Sequence, residues 1–573
     1  MIFSPTHSNK YSSIRNIVPF LLVPLLLVIN GCASQPESTA LPQPQDPVTP
    51  TFQSEHSGDL PSTFTPELPS LPYSIWIDPH FPAAVHEFFS FTAEFAVLQD
   101  QQDASITTSV KSGTPFGAWT YILVAPFPSL VEDLESSDLL TFWQTGISSS
   151  TSIVELTLSE ETKLALTLLW GEPYPGALIV LEADSILSFL WANPNSISII
   201  PFEQLTPYLK ILSLDGQNPL SPDFVPDQYD LTFPIYLSSL SDPLEALPLG
   251  DLLTNFDHTR LTTIALTGVT ALVRDTAFIM EEKGLLYPAE DIHSLLESAD
   301  ITHISNEVPF AEDCPSPDSY QSSLHFCSKD EYIQLLEILG TDIVELSGDH
   351  FGDWGPEAML HSLNLYHERN WLTYGGGETL TEGLKPVFID HNGNQFAFIG
   401  CNGKVHDRYA TASDTNPGSS RCDFEWMLAE ISRLQELGYL VIATMQHEEI
   451  DSFYPVAIQK WDFRRLSDAG AVIVSGSQAH HPQALELTGT SLIHYGLGNL
   501  FFDQWYLAQY NADQHINKDK SFIDLHHFYD GSYINTQLIT LQFVDNARPR
   551  LMTPSEREIF LAEVFQASQW NNQ

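Results

Sequence analysis

Five stretches in the second half of this chain end an apolar run in residues able to do chemistry. They are Gly268-Val269, Asn306-Glu307, Asp349-His350, Gln446-His447-Glu448-Glu449 and Gly476-Ser477-Gln478-Ala479-His480-His481. The third lies in Asp342 to Gly355, DIVELSGDHFGDWG, around which the domain is organised. Its apolar opening, Ile343-Val344 to Leu346, reads as a buried strand. It breaks at Ser347-Gly348-Asp349-His350, and a helix starts at Pro356. A strand ending this way puts a carboxylate and an imidazole at the carboxyl edge of a sheet, where α/β proteins build sites. One such turn is equally a polar turn with a capping aspartate. Five at one edge are the layout of a metallohydrolase, whose ligands come from several loops.

The elements that must carry these residues follow from the apolar pattern. Thr263–Val269, Ile301–Ser305, Leu440–Met445 and Ala471–Ser475 read as strands. Asp291–Ser298, Asp330–Leu339, Asp423–Leu437 and Ile458–Leu466 read as helices. Pro386–Cys401 reads as a hairpin around Asn392-Gly393, and Ala484–Leu487 with Ser491–Tyr495 as a second. Strands alternating with helices, then a hairpin, predict a layered α/β domain over residues 258–545, with 546–573 as a tail.

An earlier globular segment, 71–250, is read as a separate α/β domain. Its strands are Trp119–Ala125, Ala177–Leu181, Ile197–Ile200 and Ile211–Leu214. The VAPFP run, Trp170-Gly171 and the IIPFEQL run weakly resemble the periplasmic substrate-binding fold. Pro243, Pro248 and Gly250 mark the boundary between the two segments. Residues 33–70, rich in Pro, Ser, Thr and Gln, cannot bury a core and read as a flexible linker.

Residues 1–32 read as a lipoprotein signal peptide. Lys10 and Arg15 precede the apolar run IVPFLLVPLLLVI, too short for a comfortable membrane span. Ile29-Asn30-Gly31-Cys32 resembles a bacterial lipobox, with Cys32 lipidated. The alternative is cleavage elsewhere, with Cys32 incidental; either way the mature protein is extracytoplasmic. Four further cysteines, Cys314, Cys327, Cys401 and Cys422, suit an oxidising compartment. Three pairings are open to them. The local one, Cys314–Cys327 with Cys401–Cys422, is favoured because each pair brackets a loop-like stretch. A net charge of −50 over 573 residues argues against a nucleic-acid partner.

The order of the motifs resembles the CapA family of poly-γ-glutamate capsule synthesis proteins, with a metallophosphoesterase-like fold. The resemblance covers most of residues 262–504. It rests on Thr267-Gly268 with Arg274, Ala299-Asp300 leading to Glu307, Asp349-His350 with Asp353 and Gly355, and Gly375-Gly376-Gly377 before Pro386. It continues through Ala469-Gly470-Ala471, Gly476 and His480 to Tyr495-Gly496-Leu497-Gly498-Asn499. The resemblance implies that His350 is the catalytic imidazole and that Glu307, Asp349 and His480 lie near a metal. Arg274, Gln446 and Gln478 complete the pocket. The chain departs from the family pattern at Val269, where Asp is usual, and at Asp349, where Asn is usual. Gln446 stands where His is usual, and Ser477-Gln478-Ala479-His480 replaces His-His-Pro-His. Simpler roles stand beside these: Glu307 capping or pairing with Arg274, Asp353 as a helix N-terminal residue, His481 as a loop residue, and the two glutamines as buried amides satisfying backbone groups.

These residues imply at most one divalent ion. Two functions stay open. One is a membrane-anchored protein of capsule or cell-envelope polymer biosynthesis, a metal-dependent hydrolase with a degenerate ligand set. The other is a non-catalytic polymer-binding or assembly protein using the same cleft. The partners implied are the polymer or its precursor, the membrane through the lipid anchor, and a capsule-synthesis complex.

Overall fold

Buried β-branched and aromatic runs set the strands of both halves, and alternation along each strand decides what lies above and below it. A computed structural model describes residues 73–148, 153–239, 253–404, 410–504 and 517–570. The signal peptide, Cys32, the 33–70 linker and the 243–250 boundary lie outside the described residues.

In the amino-terminal half the long strand Thr114–Pro126 is the hub. It pairs antiparallel with Thr232–Ser239, Ser196–Pro201 and Leu209–Leu214, and parallel with Leu253–Thr254. Helices Ser136–Thr145, Glu160–Trp170 and Ala183–Ala192 contribute Leu139, Trp143, Leu166 and Leu190 to its core.

The following half has two sheets. In the first, Leu372–Tyr374, Thr341–Glu345, Ile301–Asn306 and Leu261–Thr270 run parallel, and Lys520–Tyr529, Ser532–Phe543 and Pro549–Leu551 continue antiparallel. In the second, Asn394–Asn402, Leu440–Gln446, Ala471–Ser475 and Ser491–His494 run parallel, with antiparallel strands Val387–His391 and Leu485–Thr488 at its edges. Ile264, Leu266, Ile343, Phe396, Phe398, Ile442 and Ile473 fill the space between the sheets. Ala265, Ile304 and Val344, which alternate with them, face Leu336, Leu363 and Tyr366 of the first helical layer. Ala397, Val441 and Ala443 face Met427, Ile431 and Phe463 of the second. The result is helix, sheet, sheet, helix, the layered α/β class read from the sequence. Asn392 and Gly393 both take positive φ, as a two-residue hairpin turn requires. Both local disulfides are present, Cys314–Cys327 and Cys401–Cys422.

One expectation about a boundary needs correcting. Residues 546–573 are not a tail: Thr553 and Glu556 form a capping box for the helix Pro554–Ser568, whose Phe560, Leu561 and Val564 enter the inter-sheet core. The two α/β halves, 71–250 and 258–545, pack together within the compact unit Leu71–Gln573. Leu261 and Ile534 pack into the amino-terminal core, Phe127 packs beside Phe565 and Trp570, and Asn535 Nδ2 donates to Leu209 O at 2.7 Å. These apolar contacts join the halves.

Candidate functional site

The carboxyl ends of three neighbouring strands build the centre of the site. Ile301–Asn306 delivers Glu307, Thr341–Glu345 delivers Asp349 and His350 after a short turn, and Leu440–Gln446 of the other sheet delivers Gln446. Two glycines permit the approach. A Cβ on Gly348 would stand 2.7 Å from Glu307 Cα, and one on Gly268 would stand 2.0 Å from Gly498 O. Only a residue without a side chain fits at either place.

Glu307, Asp349 and His350 are the group of three metal-ligand side chains that converges among the described residues, with ligand atoms all within 4.8 Å of one another. Glu307 is fully buried. Its Oε1 accepts from Gln446 Nε2 at 3.4 Å and faces His480 Nε2 at 3.5 Å. Its Oε2 has no hydrogen-bond partner among the described residues. An orphaned, buried carboxylate oxygen beside a second carboxylate and an imidazole fits an oxygen-preferring cation. His480 is held through Nδ1 by Asn499 Oδ1 at 2.8 Å, so its other nitrogen faces Glu307.

Asp349 is fully engaged. Its Oδ1 accepts from Gln446 Nε2 at 2.8 Å, and its Oδ2 from Lys404 Nζ, which also donates to Glu449 Oε1 at 2.7 Å. Burial opposes its charge, but Lys404, His350 and the bonds from Lys404 and Gln446 hold its carboxyl well below the usual range. His350 Nδ1 bonds Asp353 Oδ2 at 2.7 Å. Burial again opposes the charge, yet that bond and the charges of Glu307, Asp349 and Asp353 raise the imidazole to about 9. Phe326, inside the Cys314–Cys327 loop, sets its ring edgewise on His350 at 4.8 Å, and its N–H donates to Asp353 Oδ2 at 2.9 Å. Side-chain exposure of 18% at His350 and 20% at Lys404, against 0% at Glu307, places the mouth of the site on the His350 and Lys404 side.

Several local readings change. Glu307 does not pair with Arg274; Arg274 donates to Asp503 Oδ1 at 2.7 Å and lies over Phe326 and Phe502, behind the site. Asp353 orients His350, while Gly355 occupies the N-cap of the next helix. Gln446 serves two carboxylates and accepts from Asn402 Nδ2 at 2.7 Å, so its partners are side chains and not backbone groups. Gln478 is buried with neither amide atom bonded among the described residues. His447 faces away from the cluster, toward Asp462 at 3.2 Å. Val269 is buried among Phe326 and Phe502 and offers no ligand atom. Lys404 was missed: a lone lysine after the strand Asn394–Asn402 carries no motif, and only the fold sets it opposite Asp349.

Residues 263–504 match the family described as bacterial capsule synthesis protein PGA_cap. Over 251 residues the chain is 24% identical to the capsule biosynthesis protein CapA of Bacillus anthracis, a match covering 42% of this chain and 60% of that protein. Over 229 residues it is 23% identical to the PGA biosynthesis protein CapA of Bacillus subtilis (strain 168), covering 39% and 59%. The match thus spans about three fifths of each relative. Among solved structures, the Haemophilus influenzae NAD nucleotidase aligns with 53% of this chain and 55% of that chain at 7% identity, TM-score 0.29. An ABC-type phosphate transport receptor from Vibrio cholerae aligns with 30% and 88% at 15% identity, TM-score 0.25. Overlaps this partial decide neither fold nor function. The family match covers every strand end that carries the cluster, and over residues 263–504 this chain is similar to the bacterial capsule synthesis proteins.

Proposed function

We propose that this chain is an extracytoplasmic, lipid-anchored CapA-like protein of capsule or cell-envelope polymer biosynthesis, of the poly-γ-glutamate type. Its cleft is a weakened metallophosphoesterase-like site that holds at most one divalent ion and handles the polymer or its precursor. The observation carrying this reading is the convergence of Glu307, Asp349 and His350, with Lys404 bonded to Asp349. Glu307 and Asp349 would hold the ion, with His480 beside Glu307. When bound, the ion would supply Lewis-acid polarisation of a phosphoryl or carbonyl oxygen. Asp353 fixes the His350 ring so that Nε2 is left to donate a proton to a substrate oxygen at the mouth. Lys404 brings a positive charge to the acidic cluster, which lowers the demand for a second ion. The neutral amides Gln446 and Gln478 bind zinc-like ions less well than imidazoles do.

Metal analysis with a phosphodiester assay on wild type, Asp349→Ala, His350→Ala and His480→Ala tests this. One weakly held ion and slow hydrolysis lost in the variants is the expected result. Two tightly held ions with brisk hydrolysis would overturn the weakened site. Mass spectrometry of the mature amino terminus should find a lipid-modified Cys32; another start would remove the anchor. The second reading, a non-catalytic polymer binder, draws on the same Lys404 and the unbonded amide of Gln478. Polymer binding without metal or hydrolysis would select it.

A further inference from the structure

Far from these strand ends, a cavity of about 240 Å³ opens where the strands Leu209–Leu214 and Ser532–Phe543 meet the helix Pro554–Ser568. All of its lining residues lie outside the family-matched 263–504. Its lining includes the apolar Phe127, Leu561 and Phe565 and the charged Lys210, Arg557 and Glu132. Lys210 Nζ donates to Ser129 O at 3.0 Å and to Glu132 Oε1 at 2.6 Å. Arg557 Nε donates to that same carboxylate oxygen at 3.0 Å. Its Nη1 donates to Leu538 O and Thr540 Oγ1, and its Nη2 makes no hydrogen bond among the described residues. Two cations therefore share one carboxylate oxygen, a local excess of positive charge in a chain of net charge −50.

The carboxylate is also the loosest member. The Glu132 side chain is 46% exposed, against 15% for Lys210 and 20% for Arg557. It can turn into water at little cost, whereas the cations are held by backbone oxygens and cannot follow it. Burial pulls Lys210 down to about 8 against the opposing pull of Glu132, so this ammonium is short of compensating charge.

We propose that this cavity binds a small organic monoanion. Its acid group sits between Lys210 and Arg557 in place of the Glu132 carboxylate, and its short apolar body lies against Phe127, Leu561 and Phe565. The volume is below the roughly 300–1,000 Å³ of drug-sized pockets, so the ligand has a short body. The strand Leu209–Leu214 belongs to the amino-terminal sheet and Ser532–Phe543 to the carboxyl-terminal half, so an occupant also braces the junction.

Calorimetric titration of the full chain with hexanoate, hexanol and inorganic phosphate tests the proposal. Hexanoate should bind and the other two should not. Removing the competing carboxylate in Glu132→Gln should tighten hexanoate about tenfold, and Lys210→Met should weaken it by at least as much. Leu561→Trp, which fills space beside the apolar lining, should abolish binding. Equal binding of hexanol would reduce the site to an apolar void, and equal binding of phosphate to a bare anion contact; either overturns the proposal. So does a Glu132→Gln protein that, titrated at a pH low enough to keep Lys210 protonated without Glu132, binds hexanoate no better than wild type, the core being intact.

Discussion

The strands Thr114–Pro126 and Thr341–Glu345 are both largely buried β-runs, yet they finish in different chemistry. The first runs into Pro126-Phe127-Pro128, and Phe127 joins an apolar core. The second runs into Ser347-Gly348-Asp349-His350 and a cluster of charges. The same contrast holds for buried polar atoms without partners among the described residues. In the amino-terminal half these include the hydroxyls of Thr206 and Thr232. Near the polar strand ends they include a carboxylate oxygen of Glu307, another of Glu345, the Nδ1 of His303 and both amide atoms of Gln478. A hydroxyl is cheap to bury; an unpaired carboxylate or amide is not. Others of the costly kind lie elsewhere in the carboxyl-terminal half, at Asp524, Gln459 and Asn546, but the orphaned oxygen of Glu307 stands beside the converging Asp349 and His350, where a ligand can pair it.

The largest expected effect lies in the cluster. Asp349→Ala leaves Lys404 with Glu449 as its remaining carboxylate. Breaking a buried pair from one side costs about 3 kcal/mol, and cation binding should fall by roughly a hundredfold. Urea unfolding and metal titration measure both. The counterpart Glu155→Ala, which removes a 2.6 Å bond to Ser196 Oγ in the amino-terminal half, should leave metal binding unchanged. If it lowers metal binding as much as Asp349→Ala, the contrast between the halves collapses.

The disulfide loop comes next. Cys314→Ser with Cys327→Ser opens a loop of separation 13. The chain-entropy cost is about 3 kcal/mol of stability. Because Phe326 bonds Asp353 and packs on His350, the imidazole should also lose its fixed orientation, visible as a broadened ring signal by NMR. An unchanged ring signal would detach the loop from the site.

Lys404→Met sharpens the comparison in the opposite direction. Freeing Asp349 Oδ2 should raise divalent-ion affinity about tenfold, or about 1.4 kcal/mol. An affinity no higher than wild type would mean that Lys404 does not compete with the ion.

The pH dependence separates the two charged groups of the cluster. The folded value of His350 is raised to about 9 from 6.5, so its contribution to stability is fully present below pH 6.5 and is lost as pH rises through about 9. Asp349 has the opposite sign: its contribution is present above the ordinary carboxylate value and is lost only in strong acid. Unfolding free energy measured from pH 6 to 9.5 should decline in wild type and decline less in His350→Asn. Parallel curves would show that the imidazole gains no charge on folding.

Much of the fold was legible because periodicity is local. The apolar run Thr263–Val269, the Asn392-Gly393 turn and the spacing of Cys314 and Cys327 each depend on near neighbours; the first lies within the buried strand Leu261–Thr270, and the other two appear as read. The polar strand ends were legible for the same reason, since an apolar run that stops at Asp349-His350 shows its edge in one dimension. What pairs with what was not legible. The sequence offered Arg274 to Glu307, but the fold pairs Arg274 with Asp503, 229 residues away, and brings Lys404 to Asp349 across 55. The helix Pro554–Ser568 looked like a tail because its apolar residues have no partner nearby in the chain; they meet one only in the inter-sheet core. Contacts between distant segments depend on how two sheets stack, and that is decided by the sum of burial over the whole core and by no single motif.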